Sequence, residues 1–161
     1  MTYSDALERL ASWPRTSLVR EPTPLLPAPN LSHDLGFRVP LLLKMDGETG
    51  FALGGNKTRK LEFELAPDRL DGVTHLITCG GVHSNHCRLT VAAAARLGLP
   101  CTLVLNGEAP KEPTGNALLH RLFGAEIRMV PERADRPPMM ESVAAEVREE
   151  GGRALIVPLG A

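Results

Sequence analysis

The chain has 161 residues, 43% of them hydrophobic and 23% charged, with 18 Lys and Arg against 19 Asp and Glu and a formal net charge of −1. That length suits one ordinary domain, alone or with a short piece of a second, and the charge balance excludes a general nucleic-acid or membrane-surface binder, which needs a basic excess. No apolar run approaches the ~20 residues that cross a bilayer, Met1 to Trp13 lack an apolar signal core, and Cys79, Cys87 and Cys101 form no C-x-x-C pair, which together imply a soluble, cytoplasmic protein without a disulfide framework.

Residues 4–12 read as a short amphipathic helix, with Ser4 as N-cap and Pro14 as its stop. The stretch Glu21-Pro22-Thr23-Pro24-Leu25-Leu26-Pro27-Ala28-Pro29 is extended, because its prolines forbid a helix interior and a central strand alike. Residues 39–44 form an apolar strand, and the Gly-punctuated loop 46–50 leads through Gly54-Gly55-Asn56 to a helix over 57–66. A regular alternation then begins. Strands at 74–79, 101–106, 126–130 and 154–158 are separated by helices at 84–97, 114–123 and 139–150, with Thr114 as a cap and Gly98, Gly124 and Gly151-Gly152 as stops. Cys87 and Cys101 belong in the core. His120, opposite Leu118, Leu119 and Leu122 on its helix, belongs on the surface. This pattern implies right-handed βαβ crossovers and an α/β fold: an open parallel twisted sheet with helices on both faces. The residues before 55 stand outside the rhythm and look like part of another structural layer.

In open parallel sheets, ligands sit beyond the carboxyl ends of the strands, at free helix N-termini. Two turns stand out. In Gly54-Gly55-Asn56-Lys57-Thr58-Arg59-Lys60-Leu61-Glu62, Asn56 is the natural N-cap, yet Lys57, Arg59 and Lys60 crowd the positive end of a helix dipole. Cations there violate a local stability rule, as expected where a site overrides it. The same field favours a neutral lysine amine, which Schiff-base chemistry needs, while the other cations and open N–H groups suit a phosphate. The plain alternative is a solvated basic turn with a Lys60–Glu64 pair. In Cys79-Gly80-Gly81-Val82-His83-Ser84-Asn85-His86-Cys87-Arg88, two glycines allow close approach of the backbone, and Ser84 and Asn85 put donors at a helix start, which suits a carboxylate. The plain alternative is that Ser84 or Asn85 merely caps the helix. Cys79, His83, His86 and Cys87 lack the paired spacing of zinc sites, and neither turn is a Walker loop or a G-x-G-x-x-G fingerprint.

Gly54-Gly55-Asn56-Lys57-Thr58-Arg59-Lys60-Leu61-Glu62-Phe63 resembles the GGNKxRKLE signature of the pyridoxal-phosphate enzymes related to 1-aminocyclopropane-1-carboxylate (ACC) deaminase and D-cysteine desulfhydrase, which have the tryptophan synthase beta-like fold type II. Gly81-Val82-His83-Ser84-Asn85-His86-Cys87-Arg88 resembles that family's SNH/SNQ loop. Thr23-Pro24-Leu25, Lys44-Met45-Asp46, Gly124-Ala125-Glu126 and Ile156-Val157-Pro158 fall in the family's order, so the resemblance spans nearly the whole chain.

The resemblance implies pyridoxal 5'-phosphate as cofactor, a small amino acid as substrate, and lyase or hydrolase chemistry. Lys57 matches the lysine that holds the cofactor and shuttles the substrate's proton. Asn85 matches the residue that hydrogen-bonds the cofactor's phenolic oxygen, with Lys60 and Asn56 on the phosphate side. Ser84 and the N–H groups of Asn85 and His86 match the loop that holds the substrate carboxylate, with Ser84 able to assist proton transfer. His86 stands where ACC deaminases carry Gln and desulfhydrase-like members carry His, which points to D-cysteine and release of pyruvate, ammonia and sulfide. Full-length members, homodimers in that form, continue into a large domain that supplies a glycine-rich phosphate loop, a pyridine-nitrogen partner and a tyrosine. The expectation is therefore residues 1–55 from the large domain followed by a small α/β domain over 56–161. Such a truncated chain is expected to be inactive alone and to expose an apolar patch. A reading of another class is a non-catalytic α/β module that binds a small anion at Ser84-Asn85.

Overall fold

The structure, a computed structural model, describes residues 2–20 and 22–159. Expectations for Glu21, at the head of the Pro-rich stretch, and for the closing Gly160-Ala161 lie outside the described residues.

Helix α1 (Tyr3–Ala11) is capped by Thr2, not Ser4: the Thr2 hydroxyl accepts the Asp5 N–H at 3.2 Å and the Asp5 carboxylate accepts the Thr2 N–H at 2.8 Å. The reciprocal pair needs a residue in extended backbone and an acid three positions on, and Thr2 with Asp5 meets both conditions. The Pro-rich stretch is more structured than its extended reading. Strand β1 (Leu25–Pro27) pairs antiparallel with β2 (Leu42–Lys44), and between them the short helix α2 (Pro29–Asp34) starts at a proline, whose missing N–H costs nothing there. Pairing in β2 starts only after Pro40, which cannot donate to a ladder.

A 3₁₀ turn (Asp46–Glu48) precedes α3 (Lys57–Glu64) and the single turn α4 (Pro67–Leu70). Then come β3 (His75–Gly81), α5 (Asn85–Leu97), β4 (Cys101–Asn106), α6 (Gly115–Leu122), β5 (Glu126–Val130), α7 (Arg136–Glu149) and β6 (Ala154–Ile156). Helix α7 starts at Arg136, three residues before the expected position, with a proline in its first two positions. Thr114 stands at the start of α6 in extended backbone, but its side chain makes no capping bond.

The four strands run parallel in the order β5-β4-β3-β6, as the alternation of elements predicts. Period-2 alternation along β3 sends Leu76 toward α3 and α5, where it packs with Leu61, Leu65, Leu89, Ala93 and Leu103, and Ile77 toward α7, against Val143 and Ala144. Both faces are therefore covered. The chain goes from β3 outward to β4 and β5, then crosses back to lay β6 on the other side of β3. The strand order reverses between the carboxyl ends of β3 and β6, which is where a parallel sheet opens a ligand crevice.

The polarity of α6 is opposite to the expected one. Ala117 and the whole of His120 are buried, while Leu118 and Leu122 are 40% and 68% exposed. The helix packs on the start of α5 and turns its Asn116–His120 side inward; His120 Nε2 lies 3.4 Å from the carbonyl oxygen of Ser84.

Candidate active site

Three features set the start of α3. The N–H groups of Gly54 and Gly55 donate to the carbonyls of Phe51 (2.8 Å) and Asp46 (2.9 Å). Gly54 has φ +74°, and a Cβ on it would come within 1.7 Å of the Gly47 carbonyl oxygen, so this close backbone contact requires glycine. Asn56 does not cap: its backbone is already helical (φ −63°, ψ −22°), which leaves its side chain unable to reach back over the first turn.

The cations of this turn diverge. Arg59 forks onto one carboxylate oxygen of Asp46, through Nε at 3.0 Å and Nη2 at 2.7 Å, and Nη2 also donates to the Thr23 hydroxyl at 2.7 Å. That guanidinium holds the Asp46 carboxyl below its usual range. Lys60 Nζ donates to the carbonyls of Pro158 (2.9 Å) and Leu159 (3.1 Å), just beyond β6. The Lys60–Glu64 pair of the plain alternative is absent among the described residues, and the Glu64 carboxylate pairs with Arg69 at 2.7 Å. Burial, then the neighbouring Lys57, draws the Lys60 pKa down against the pull of Glu64. Lys57, the first helical residue and half-buried, is the one cation of the three whose ammonium has no hydrogen bond or ion pair among the described residues. Glu62 has a structural part: its Oε1 accepts the N–H groups of Leu18 (2.8 Å) and Val19 (2.9 Å), which anchors the preceding segment to α3.

At the start of α5, the Ser84 hydroxyl oxygen accepts the Cys87 N–H at 3.2 Å, so the capping reading of Ser84 holds, and its own proton remains free to donate. The N–H groups of Asn85 and His86 have no acceptor among the described residues and stand at the positive end of a thirteen-residue helix. Gly80 permits this turn, since a Cβ there would meet Cys87 Sγ at 2.6 Å and Ser84 Cβ at 2.7 Å. The His86 side chain turns away from this turn. It is 2% exposed and points into the fold, with Nε2 2.8 Å from the Thr78 hydroxyl, which donates to the Val157 carbonyl at 2.7 Å. Only the backbone N–H of His86 stays with the anion-binding turn. Burial first, then the charges of Lys60 and Lys57, push its pKa down to about 4.

One network joins the two turns. Arg88 Nη2 donates to the Gly54 carbonyl, and Nη1 donates to Asn116 Oδ1 at 3.1 Å. Asn116 Nδ2 donates to the His83 carbonyl at 2.7 Å and to Asn85 Oδ1 at 2.9 Å. The start of α3, with Lys57, and the start of α5, with Ser84 and Asn85, are thereby held at one end of the sheet. Thr78, Arg88, Asn116 and the anchoring part of Glu62 were not singled out from the sequence. Their partners lie 8 to 79 residues away, and no spacing rule announces such bonds. Cys87 is buried, and its thiol is pushed up to about 12 by that burial. Among the described residues no three His, Cys, Asp or Glu side chains converge on a metal-sized site.

Known proteins resemble this chain over nearly its whole length. A family model described as pyridoxal-phosphate dependent enzyme matches residues 16–160. The D-cysteine desulfhydrase of Salmonella paratyphi C is 40% identical over 161 residues, covering 96% of this chain and 48% of the relative. That of Klebsiella pneumoniae is 37% identical over 160 residues, with the same shares. A crystal structure described as an ACC deaminase homologue superimposes with a TM-score of 0.87 at 36% identity, covering 99% of this chain and 48% of that one. The chain spans about half the length of the curated relatives it matches. The expectation of hydrolase chemistry is corrected by these matches, which carry pyridoxal-phosphate and desulfhydrase descriptions. No helix among the described residues is long and apolar enough to cross a membrane.

Proposed function

The chain belongs to the pyridoxal-phosphate-dependent enzymes, and from that premise we propose that it carries the lysine and the anion clamp of a lyase that takes D-cysteine and water to pyruvate, ammonia and sulfide. The observation that carries this reading is the network through Arg88 and Asn116, which ties the Gly54 carbonyl, in the turn before Lys57, to the start of α5; among the described residues the Lys57 amine and the N–H groups of Asn85 and His86 have no partner. The donor set fits the cofactor: an amine for its aldehyde, an amide nitrogen for its phenolic oxygen, and backbone N–H groups for an oxyanion.

Pyridoxal phosphate, when bound, supplies the electron sink for breaking a bond at the amino acid's α-carbon. In this reading Lys57 would hold the cofactor and its amine would move the proton at the substrate's α- or β-carbon. The N–H groups of Asn85 and His86 bind the substrate carboxylate at the positive end of α5, where the dipole favours an anion. Ser84, its oxygen engaged by Cys87, still offers a hydroxyl proton to that carboxylate or to the leaving group. Asn85 donates to the phenolic oxygen. Lys60 keeps one of its three N–H donors after binding Pro158 and Leu159, and in this reading that donor, with Asn56, would serve the phosphate.

D-cysteine is favoured by the curated relatives and by His86 in place of Gln. The solved structure described as an ACC deaminase homologue supports ACC as the second reading. The domain proposal is that residues 1–55 go with a larger domain and 56–161 form the smaller one, in a cytoplasmic homodimer of the full-length form. It draws support from the exposed Leu25, Leu26, Leu42 and Leu43 on the β1–β2 ladder. The test is to fuse the chain to the C-terminal half of the Salmonella relative and to offer D-cysteine and ACC in turn. Sulfide release that disappears in Lys57→Ala is expected. Turnover of ACC alone favours the deaminase, and turnover indifferent to Lys57 sinks both.

A further inference from the structure

We propose that Asn116 is a positioning residue that fixes the Asn85 amide with its nitrogen toward the site, where it donates to the cofactor's phenolic oxygen; the ligand half of this rests on the functional reading above. The orientation follows from groups whose roles cannot be exchanged: a guanidinium only donates and a backbone carbonyl only accepts. Arg88 Nη1 lies 3.1 Å from one end of the Asn116 amide, so that end is the oxygen. The other end lies 2.7 Å from the His83 carbonyl oxygen, so it is the nitrogen. That nitrogen is also 2.9 Å from the Asn85 side chain, and the atom it meets is therefore the acceptor Oδ1. Asn85 Nδ2 is thus left to the open side of an exposed residue, with no partner among the described residues.

An asparagine amide has nearly the same shape after a half-turn, so packing alone does not choose which end faces outward. The wrong end would set a carbonyl dipole against an oxygen that bears negative charge. Arg88, through the Gly54 carbonyl, ties the same network to the turn that leads to Lys57. Helix α6 gives up ordinary patterning for this: Asn116 and His120 face inward while Leu118 and Leu122 stand in water. A reversal of that kind marks a constraint other than stability.

Asn116→Asp and Asn116→Ala separate orientation from plain support. Aspartate has no donor, so Asn85 must turn its nitrogen inward and present Oδ1 to the site; alanine removes the preference without inverting it. Each variant, alone and with Asn85→Ala, is titrated with pyridoxal phosphate and followed by its absorbance. Affinity is expected to fall a few-fold in Asn116→Ala and roughly tenfold or more in Asn116→Asp, with that difference abolished when Asn85 is alanine. Equal losses in the two variants, or a difference that survives without Asn85, overturn the proposal. A second arm uses the chain without cofactor: side-chain amide NMR should show the Asn116 NH₂ protected from exchange and the Asn85 NH₂ open in the wild type. In Asn116→Asp the Asn85 NH₂ should become protected. An Asn85 amide protected in the wild type, or unchanged in Asn116→Asp, overturns the orientation. Absence of any cofactor binding in the wild type overturns the functional reading instead, and the NMR pattern then decides the orientation on its own.

Discussion

His86 Nε2 lies 2.8 Å from the Thr78 hydroxyl oxygen, and that hydroxyl gives its proton to the Val157 carbonyl. The imidazole must therefore be the donor in the pair, which leaves Nδ1 of the neutral ring unprotonated and without a partner among the described residues. One neutral histidine thereby joins α5 to β3 and to the end of β6.

Stability should consequently fall in mild acid. The His86 pKa drops from 6.5 to about 4 on folding, so the neutral form is the native one. A depressed folded pKa means that the unfolded chain binds the proton first. The contribution is complete above about pH 6.5 and is lost as pH falls toward about 4, amounting to about 3 kcal/mol. Burial lowers His120 and His75 in the same direction. Urea unfolding at steps between pH 7.5 and 4.5 should show the decline, and His86→Gln, which keeps a donor for Thr78, should flatten part of it. A variant as acid-sensitive as the wild type would contradict this account.

Gly80 and Gly81 are adjacent but should respond oppositely to alanine. At Gly80 the new methyl meets Cys87 Sγ and Ser84 Cβ, whereas nothing lies within 4 Å of one at Gly81. Gly80→Ala should cost about 1–3 kcal/mol by overpacking and displace the Ser84 cap, while Gly81→Ala should stay within ~0.5 kcal/mol. Thermal unfolding of the pair checks this.

Glu62 anchors Leu18, which is 1% exposed, so Glu62→Ala leaves two N–H donors without a partner. The expected loss is about 2–4 kcal/mol. Trypsin should then cut faster at Arg15 and Arg20, in the released segment. Glu62→Gln keeps the accepting oxygen and should lose far less by both measurements.

Much of the fold could be read from local pattern. Buried parallel strands give continuous apolar runs such as 101–106, bounded by Gly and Pro, and Ser84 caps a helix three residues before the N–H it accepts. Where the partner is distant, the sequence is silent. Asn116 meets Asn85 across 31 residues, and Arg59 finds Asp46 and Thr23 rather than solvent. Apolarity alone puts His120 on the outer face of α6, whereas packing against the start of α5 turns that polar side inward. Lys57 stands out in the sequence as a candidate because its turn carries a resemblance as well as a physical anomaly. The bonds that engage Arg59 and Lys60 elsewhere, leaving Lys57 without a partner among the described residues, are visible only in three dimensions.

The most direct test mixes the purified chain with pyridoxal phosphate, reduces it with borohydride, and maps the modified peptide by mass spectrometry beside Lys57→Ala. Cofactor fixed to Lys57, with a visible absorption band that the variant lacks, is the predicted result. Cofactor fixed to Lys60 instead, or labelling of the variant equal to that of the wild type, would contradict the assignment of Lys57 as the residue that holds it.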